Sequence, residues 1–238
     1  MAAKNHNERR HEIVTTARSL FFSNGYDQTT VAEIIGAIGI AKGTFYHYFG
    51  GKEELLEAVI ELITDEILVE IEQIAADTTK SASQRLSKYF KRSMDLKAQS
   101  PEIMLAALRT MYRTDNTVLR VGMVERSNAR VAPVLGRIVR EGTEDKEFTV
   151  ADPELCGEYL FKSFAALSER IGRLIIDDPT SPSLLSELHR TFDFMEWVLD
   201  RLLGTDPGTI HLADRTTLDT FFSAIQRSAG AATPASHE

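Results

Sequence analysis

Apolar side chains recur every three to four residues along most of this chain, the spacing typical of helices that bury one face. The longest stripe runs from Leu56 to about Ala76, which predicts a helix on the order of 35 Å long that begins at Lys52. The same spacing predicts the other helices at about 8–23, 31–38, 42–48, 82–98, 101–113, 116–141, 153–176, 183–203 and 215–229. Strand patterns are nearly absent, so the expected fold class is all-α.

Residues that start and stop helices mark several of these segments. Thr30 and Glu33 fit a capping box, in which a hydroxyl and a carboxylate bind the free backbone N–H groups of a helix start. Gly39 follows that helix, where a left-handed residue would end it. Pro133 is expected to kink or split the helix 116–141. Further start signals are a capping box at Ser81–Gln84 and the pairs Ser100-Pro101, Asp152-Pro153 and Ser181-Pro182.

The short helices 31–38 and 42–48, joined by a glycine turn, describe a helix-turn-helix. At about 100° per residue, Phe45 and Phe49 share the inward face of the second helix. The opposite arc is small or polar and consists of Gly43, Thr44, His47 and Tyr48, while Lys42 and Tyr46 flank the inward face. This arc suits a polyanion, because glycine admits a backbone and the other side chains reach phosphates or base edges. A solvated face would use the same residue types, so the arc alone leaves both interpretations open.

Several spaced motifs resemble the N-terminal DNA-binding domain of the tetracycline-repressor (TetR) family of transcriptional regulators. They lie within about residues 8–60 and read Gly25-Tyr26, TTVAEI, AKGTFYHYF and Lys52-Glu53-Glu54-Leu55-Leu56. The resemblance implies that operator phosphates or bases are contacted by Thr30, Lys42, Gly43, Thr44, Tyr46, His47, Tyr48 and Lys52. Two positions depart from the family pattern, since Ala41 lacks a polar cap and Tyr48 stands where His is common.

The predicted domains are a three-helix helix-turn-helix domain at 1–54, a helical ligand-binding and dimerisation domain at 55–229, and a disordered tail at 230–238. In the family, the last two long helices form a four-helix bundle with a second subunit, which implies a homodimer through about 153–176 and 183–203. The apolar residues of these helices are Leu155, Leu160, Phe164, Leu167, Ile171 and Ile175, then Leu188, Phe192, Met195, Val198, Leu199 and Leu202. An intrachain core would need much the same residues, so this alternative stays open.

A pocket for a small effector is expected between helices of the C-terminal domain. The candidate lining is rich in methionine and aromatic residues and consists of Met104, Leu108, Met111, Tyr112, Phe161 and Phe164. Arg109 or Arg113 would be the polar anchor. Plain core or surface packing is the alternative for each of these residues.

The chain has 238 residues, a hydrophobic fraction of 43% and a net charge of −8, as expected for a globular protein with a small and a larger domain. Residues 1–52 carry six Lys and Arg against four Asp and Glu, so the acidity lies outside the helix-turn-helix. No apolar run approaches the roughly 20 residues that cross a bilayer, and the polar start is unlike a signal peptide. These features predict a cytoplasmic protein without a membrane contact.

Enzyme motifs are missing from the sequence. It lacks a G-x-S-x-G elbow, and the glycines around Gly39 follow a helix where a nucleotide-binding loop requires a strand. The histidines lack the spacing of zinc ligands, and no metal or cofactor is expected. Cys156, the single cysteine, excludes an intrachain disulfide and is interpreted as a buried small hydrophobe, with a redox sensor as the alternative.

The combined prediction is a dimeric transcriptional regulator without enzymatic activity. It would repress by binding a pseudo-palindromic DNA operator and would be released by a small-molecule effector that shifts the helix from Lys52. The alternatives are a TetR-type activator and a helical ligand-binding or interaction module without DNA binding.

Overall fold

The computed structural model describes residues 6–98, 108–109, 111–112 and 114–231. Its helices are α1 (His6–Asn24), α2 (Val31–Ile38), α3 (Lys42–Tyr48), α4 (Lys52–Ala75), α5 (Ala82–Ala98), α6 (Thr117–Glu144), α7 (Pro153–Asp177), α8 (Leu184–Leu203) and α9 (Arg215–Ala231), with a 3-10 turn at Thr114–Asn116. No strand occurs among the described residues, and the predicted all-α fold is confirmed. Most of the predicted helix 101–113 and residues 232–238 of the predicted tail lie outside the described residues.

The chain packs as two compact units. The first consists of Met1–Ile67 and Arg109–Ser127, and the second of Leu68–Leu108 and Asn128–Glu238. By packing, the first unit therefore extends along α4 and takes in a segment that is distant in sequence. The predicted domain boundary at residue 54, within the same helix α4, stays a prediction.

One hydrophobic core holds the first unit together, with contributions from α1 to α4 and the start of α6. Its fully buried residues are Ile13, Ala17, Phe21, Ile34, Phe45, Leu55, Val59 and Leu119. Each buried phenylalanine or leucine side chain stabilises the fold by about 1.5–3 kcal/mol. Phe45 and Phe49 lie inward as predicted, so the rotational position of α3 is fixed.

The predicted capping of α2 is confirmed at both ends. The Thr30 hydroxyl accepts the Glu33 N–H at 3.2 Å, while the Glu33 carboxylate accepts the Thr30 N–H at 2.6 Å. Gly39 ends the helix in the left-handed region at φ 74°, and its N–H donates to the Ile35 carbonyl at 2.9 Å. Side chains other than glycine rarely adopt this conformation, so the turn needs a glycine here.

Helices α6 and α7 approach each other closely within the second unit. A Cβ atom at Gly157 would lie 2.4 Å from the Gly136 nitrogen and 2.6 Å from the Ala132 carbonyl oxygen. Only a glycine at this crossing lets the backbones touch. Near this crossing, the predicted cap of α7 is confirmed, because Asp152 accepts the Leu155 N–H at 2.9 Å.

Two predicted helix features are resolved by the structure. Helix α6 runs through Pro133 without a break, so the predicted split does not occur and the alternative, a kink, stays a prediction. The prediction that Ser181-Pro182 starts a helix is wrong, because these residues form a turn in which the Leu184 N–H donates to the Ser181 carbonyl at 3.1 Å. Helix α8 begins at Leu184, and its cap residue Ser183 makes no side-chain capping bond.

The loop after α6 and the start of α5 are joined by one carboxylate. Glu147 accepts the backbone N–H groups of Ala82 and Ser83 at 2.8 and 3.0 Å, which adds to the predicted capping box at Ser81. Phe148, in the same loop, is 3% exposed and therefore buried. No helix in the described part of the chain is both long and apolar enough to cross a membrane.

Candidate nucleic-acid interface

The outer face of α3 agrees only in part with the predicted arc, because Thr44 and Tyr48 are half-exposed while Lys42 and Tyr46, predicted to flank the inward face, are exposed. Lys42, Gly43 and His47 are exposed, and Tyr46 keeps 49% of its surface accessible. The Lys42 ammonium lies 5.9 Å from the centre of the Tyr46 ring, so a cation and an aromatic hydroxyl stand together. This pair can offer charge and hydrogen bonds to a phosphate.

Gly43 leaves open space on the surface of α3. A Cβ atom built there would meet no atom within 4 Å, so packing within the chain does not require a glycine. Glycine also lowers helix stability relative to alanine by roughly 0.5–1 kcal/mol. A partner that approaches the backbone closely would explain why this position lacks a side chain.

Thr44 and Tyr48 are only half-exposed. The Tyr48 ring lies 5.2 Å from the His47 ring and 4.7 Å from the His6 ring, and it packs partly against the hydrophobic core. Among the predicted contact residues on α3, Tyr48 therefore packs most extensively against other residues of this chain. Its role toward DNA stays a prediction.

The start of α3 lacks a side-chain cap, as its sequence indicates. Ala41 has the extended backbone of a cap residue, with φ −71° and ψ 148°, but its methyl group accepts no hydrogen bond. Its carbonyl accepts the Thr44 N–H at 2.9 Å. The first turn of α3 thus keeps N–H groups that a phosphate could bind.

Thr30 lies at the start of α2, where its hydroxyl donates to the Glu33 carboxylate at 2.8 Å. The hydrogen bonds from the Thr30 N–H and hydroxyl hold the pKa of Glu33 below its ordinary value. The predicted DNA contact of Thr30 would thus have to share a hydroxyl that the capping box already uses.

Lys52 is engaged in a way that the sequence does not show. Its ammonium donates to the backbone carbonyls of Tyr26, Asp27 and Thr29 at 2.8, 3.3 and 3.1 Å. It also lies 4.2 Å from the centre of the Tyr26 ring. An ammonium has three N–H donors, and all three have acceptors in the loop between α1 and α2. In this conformation Lys52 positions the loop, and its predicted phosphate contact stays a prediction.

A buried asparagine holds the same loop and was missed by the sequence analysis. Asn116 is 0% exposed, and its side-chain oxygen accepts the Tyr26 N–H at 2.6 Å. Its side-chain nitrogen donates to the Phe21 carbonyl at 3.4 Å, at the end of α1. The contacts link residues about 90 positions apart, and no local pattern in the sequence indicates them.

The basic residues of α1 are also engaged. Arg9 pairs with Glu12 at 2.6 Å, and the Arg10 guanidinium lies 5.2 Å from the centre of the Phe49 ring. Each arginine is partly or fully exposed and makes a single contact of a kind that contributes little at a surface, so either could still turn toward a phosphate. Lys4, a further basic residue near these two in the sequence, lies outside the described residues.

The predicted effector-pocket residues fall into both units. Met111 packs against the core of the first unit, and the Arg120 guanidinium lies 5.0 Å from the centre of the Tyr112 ring. In the second unit Phe161 is buried, and the ring of Phe164 lies 5.0 Å from that of Phe90. Leu108 is half-buried and Arg109 exposed, while Met104 and Arg113 lie outside the described residues. Their role as a ligand lining stays a prediction.

The arc of α3 lies within a segment that matches a known family. Residues 13–59 match the model of the tetR family of bacterial regulatory proteins. The similarity to the tetR family is therefore shown for this segment. The TetR-family segment includes α2, α3 and all eight residues predicted to contact DNA.

Relatives and solved structures extend this similarity beyond the TetR-family segment. The transcriptional repressor KstR2 of Mycolicibacterium smegmatis is 27% identical over 141 residues, which cover 59% of this chain and 67% of the relative. KstR2 of Mycobacterium tuberculosis is 32% identical over 89 residues, which cover 37% of this chain and 44% of the relative. A TetR-family regulator from Pectobacterium atrosepticum is 21% identical, covers 86% of this chain and all of its own, and has a TM-score of 0.63. The last comparison shows a shared fold.

Proposed function

We propose that the protein is a DNA-binding transcriptional repressor, which binds a pseudo-palindromic operator as a homodimer and releases it when a small effector binds. The exposed arc of α3 carries the proposal, because its lysine, tyrosine, histidine and open glycine stand on a helix whose inward face is locked in a core. Recognition helices of helix-turn-helix proteins read base edges in the major groove. The two KstR2 relatives are named as repressors, which supports repression of transcription over activation.

Dimerisation is supported by an exposed aromatic pair on α8. Phe194 and Trp197 keep 61% and 50% of their surfaces accessible, and their rings stack with centres 6.0 Å apart. On α7, Leu155 and Tyr159 are about half exposed and lie one turn apart. Exposed large aromatic residues on neighbouring helices are typical of protein interfaces.

Most apolar residues that the sequence assigns to the dimer helices serve the core of this chain instead. Those buried within the second unit are Leu160, Phe164, Leu167, Ile171, Ile175, Leu188, Phe192 and Leu199. The proposed interface therefore uses Phe194 and Trp197, together with the half-buried Met195. Two operator half-sites about 34–36 Å apart would then face two copies of α3.

Release by a small molecule is supported by solved structures with the same fold. One is a SmeT complex with triclosan, at 20% identity and a TM-score of 0.61, and another is Bacillus subtilis FadR with stearoyl-CoA, at 19% identity and a TM-score of 0.56. Both ligands have large apolar parts. We infer an effector site in the second unit, regulatory activity without catalysis, and a location in the cytoplasm with the operator DNA.

Selection of binding sites from random DNA tests the function. The full-length protein should enrich a palindromic sequence, and Lys42→Ala should weaken binding to it by at least tenfold at unchanged melting temperature. Affinity should fall steeply with salt, because each phosphate contact releases counterions. Failure to enrich any sequence would favour the ligand-binding module without DNA binding.

A reporter gene behind the selected operator tests whether the protein represses or activates transcription. A repressor lowers transcription when the protein is supplied, and a compound that raises the melting temperature must also release the DNA. Higher transcription would favour the activator, and a stabilising compound that leaves DNA bound would contradict release by that effector.

A further inference from the structure

A basic groove in the second unit lies between the first half of α5 and the segment that joins α8 to α9. Its volume is about 700 Å³, within the range of pockets for small molecules. The lining is rich in cations and hydroxyl groups and consists of Lys80, Ser83, Gln84, Ser87, Lys88, Lys91, Thr209, His211, Ala213, Asp214 and Arg215. None of these residues belongs to the candidate effector pocket described above.

The lining of this groove carries more cations than carboxylates, whereas the protein as a whole is acidic. Lys80, Lys88, Lys91 and Arg215 line it, and Asp214 is the single carboxylate of the lining. The chain as a whole carries a net charge of −8. Cations gathered in a concave surface on an acidic protein focus a positive potential there.

The carboxylates near the groove are engaged elsewhere or held weakly. Asp214 accepts the hydroxyl and the N–H of Thr217 at 3.1 and 3.4 Å, at the start of α9. Lys88 reaches Asp77 only at 3.5 Å, and Arg215 pairs with Asp193 in an exposed ion pair. Exposed pairs of this kind contribute little, so an anion with several oxygens can replace them.

Side chains, and not the helix end, would hold such an anion. The first N–H groups of α5 already bind Glu147, as described above, so they are not available to a ligand. Ser87 is on the groove wall, where its hydroxyl accepts the His211 N–H at 3.1 Å and fixes the facing segment. The groove therefore has α5 as one wall and the segment around His211 as the other, and the lysine and arginine side chains supply the charge.

We propose that this groove binds a small phosphorylated metabolite of about the size of a nucleotide. The phosphate groups lie against Lys88, Lys91 and Arg215, and the apolar part of the molecule lies along the lysine stems and Ala213. The volume fits one small molecule, while the acidic protein around the groove disfavours a long nucleic acid. The proposal goes beyond DNA binding and does not depend on it.

Calorimetric titration of the full-length protein with pyrophosphate and with ADP tests the proposal, in the absence of DNA. Saturable binding of one ADP per chain is expected, with ADP tighter than pyrophosphate because its nucleoside adds contacts. The double variant Lys88→Ala/Lys91→Ala should bind at least about 100-fold more weakly, because it removes two charged donors to the phosphate oxygens. Both lysines are exposed, so the variant should fold normally.

Two control variants test whether the effect depends on the loss of any lysine or on the position of the lysine in the groove. Lys162→Ala, on α7, removes an exposed lysine outside the groove and should leave ADP binding unchanged. Lys42→Ala, on α3, should also leave it unchanged, and a loss in this variant would place the phosphate on the DNA-binding arc and overturn the proposal. Absence of saturable binding up to 10 mM, or equal affinity in the double variant, would overturn it as well, with about 10 mM marking the weakest useful affinity.

Discussion

Lys52 has two assignments at the residue scale. The family resemblance implies a phosphate contact, whereas the structure shows its ammonium bound to three carbonyls of the loop before α2. A charged donor satisfied in this way contributes to stability whether or not DNA is present. Lys42, the first residue of α3, is exposed, and its side chain is not part of the core.

Substitution separates the two lysines. Lys52→Met should lower the free energy of unfolding by about 1.5–3 kcal/mol and weaken operator binding, because the loop loses its donor. Lys42→Met should change stability by less than about 0.5 kcal/mol but weaken operator binding. Chemical denaturation and gel-shift titration measure both effects. An unchanged stability of Lys52→Met would show that the carbonyl contacts are dispensable.

Cys156 is a second residue whose chemistry depends on its surroundings. It is 5% exposed, and burial raises the pKa of its thiol to about 11, with a further contribution from the negative charge of Asp152. The thiolate is the reactive form, so a high pKa favours the interpretation as a buried hydrophobe.

The raised pKa of Cys156 predicts its labelling and a pH dependence. Reaction with a thiol reagent should be slow in the folded protein at pH 7.5 and fast after unfolding in guanidinium. Because the folded pKa lies above the unfolded value of 9.0, its contribution to stability is complete below about pH 9 and is lost toward pH 11. Rapid labelling of the folded protein at pH 7.5 would contradict the buried state.

Glycine has opposite roles in two elements. At Gly157, between α6 and α7, a methyl group would collide with backbone atoms of Gly136 and Ala132. At Gly43, on α3, a methyl group would enter open space. The first glycine therefore serves packing within the chain, and the second is explained by an external partner.

Alanine substitution distinguishes these roles. Gly157→Ala should destabilise the protein by about 1–3 kcal/mol or more, because backbone atoms cannot move aside as a side chain would. Gly43→Ala should stabilise it by roughly 0.5–1 kcal/mol and still weaken operator binding. Thermal unfolding and gel-shift titration of the two variants are the measurements. Wild-type operator affinity of Gly43→Ala would remove the argument for close approach.

Helix ends that depend on nearby capping residues were predictable from the sequence, whereas contacts between distant segments were not. The capping box at Thr30 and the left-handed Gly39 lie within a few residues of the helix ends they fix, so both were predicted correctly. Ser181 resembles an equally good cap, but the chain makes a turn there before α8. The sequence contains two candidate cap residues for α8, Ser181 and Ser183, and it does not show at which of them tertiary packing lets the helix begin.

The candidate site shows the same division. Helical spacing predicts that Phe45 points inward, and the residues on the opposite side of α3 then point outward. Spacing does not show where a long side chain such as that of Lys52 ends, nor that Asn116 reaches Tyr26. Both contacts depend on how helices come together, which a one-dimensional pattern does not contain.

For the whole molecule, the oligomeric state decides whether an operator can be bound tightly. Phe194 and Trp197 are exposed in a single chain, whereas neighbouring apolar residues on the same helix are buried in its own core. Polar substitutions at the exposed pair therefore leave the fold intact while removing apolar area from the proposed interface.

The double variant Phe194→Ser/Trp197→Ser tests the homodimer. Sedimentation should show a shift from dimer to monomer, with dissociation at least tenfold easier and operator binding weakened in parallel. Val118→Ser, at a residue that is 60% exposed on α6, is the matched control and should remain dimeric. A dimer of unchanged strength would place the interface on another face.

The inclusion of Arg109–Ser127 in the first unit bears on attempts to build hybrid regulators. A graft of the first 67 residues onto a foreign sensor would lack Leu119 from the core and leave the Tyr26 N–H without its acceptor on Asn116. A buried unpaired N–H costs about 1–3 kcal/mol, and an empty leucine site about 2–5 kcal/mol. The unit that contains the helix-turn-helix is therefore discontinuous in sequence, and a hybrid regulator needs both of its segments, Met1–Ile67 and Arg109–Ser127.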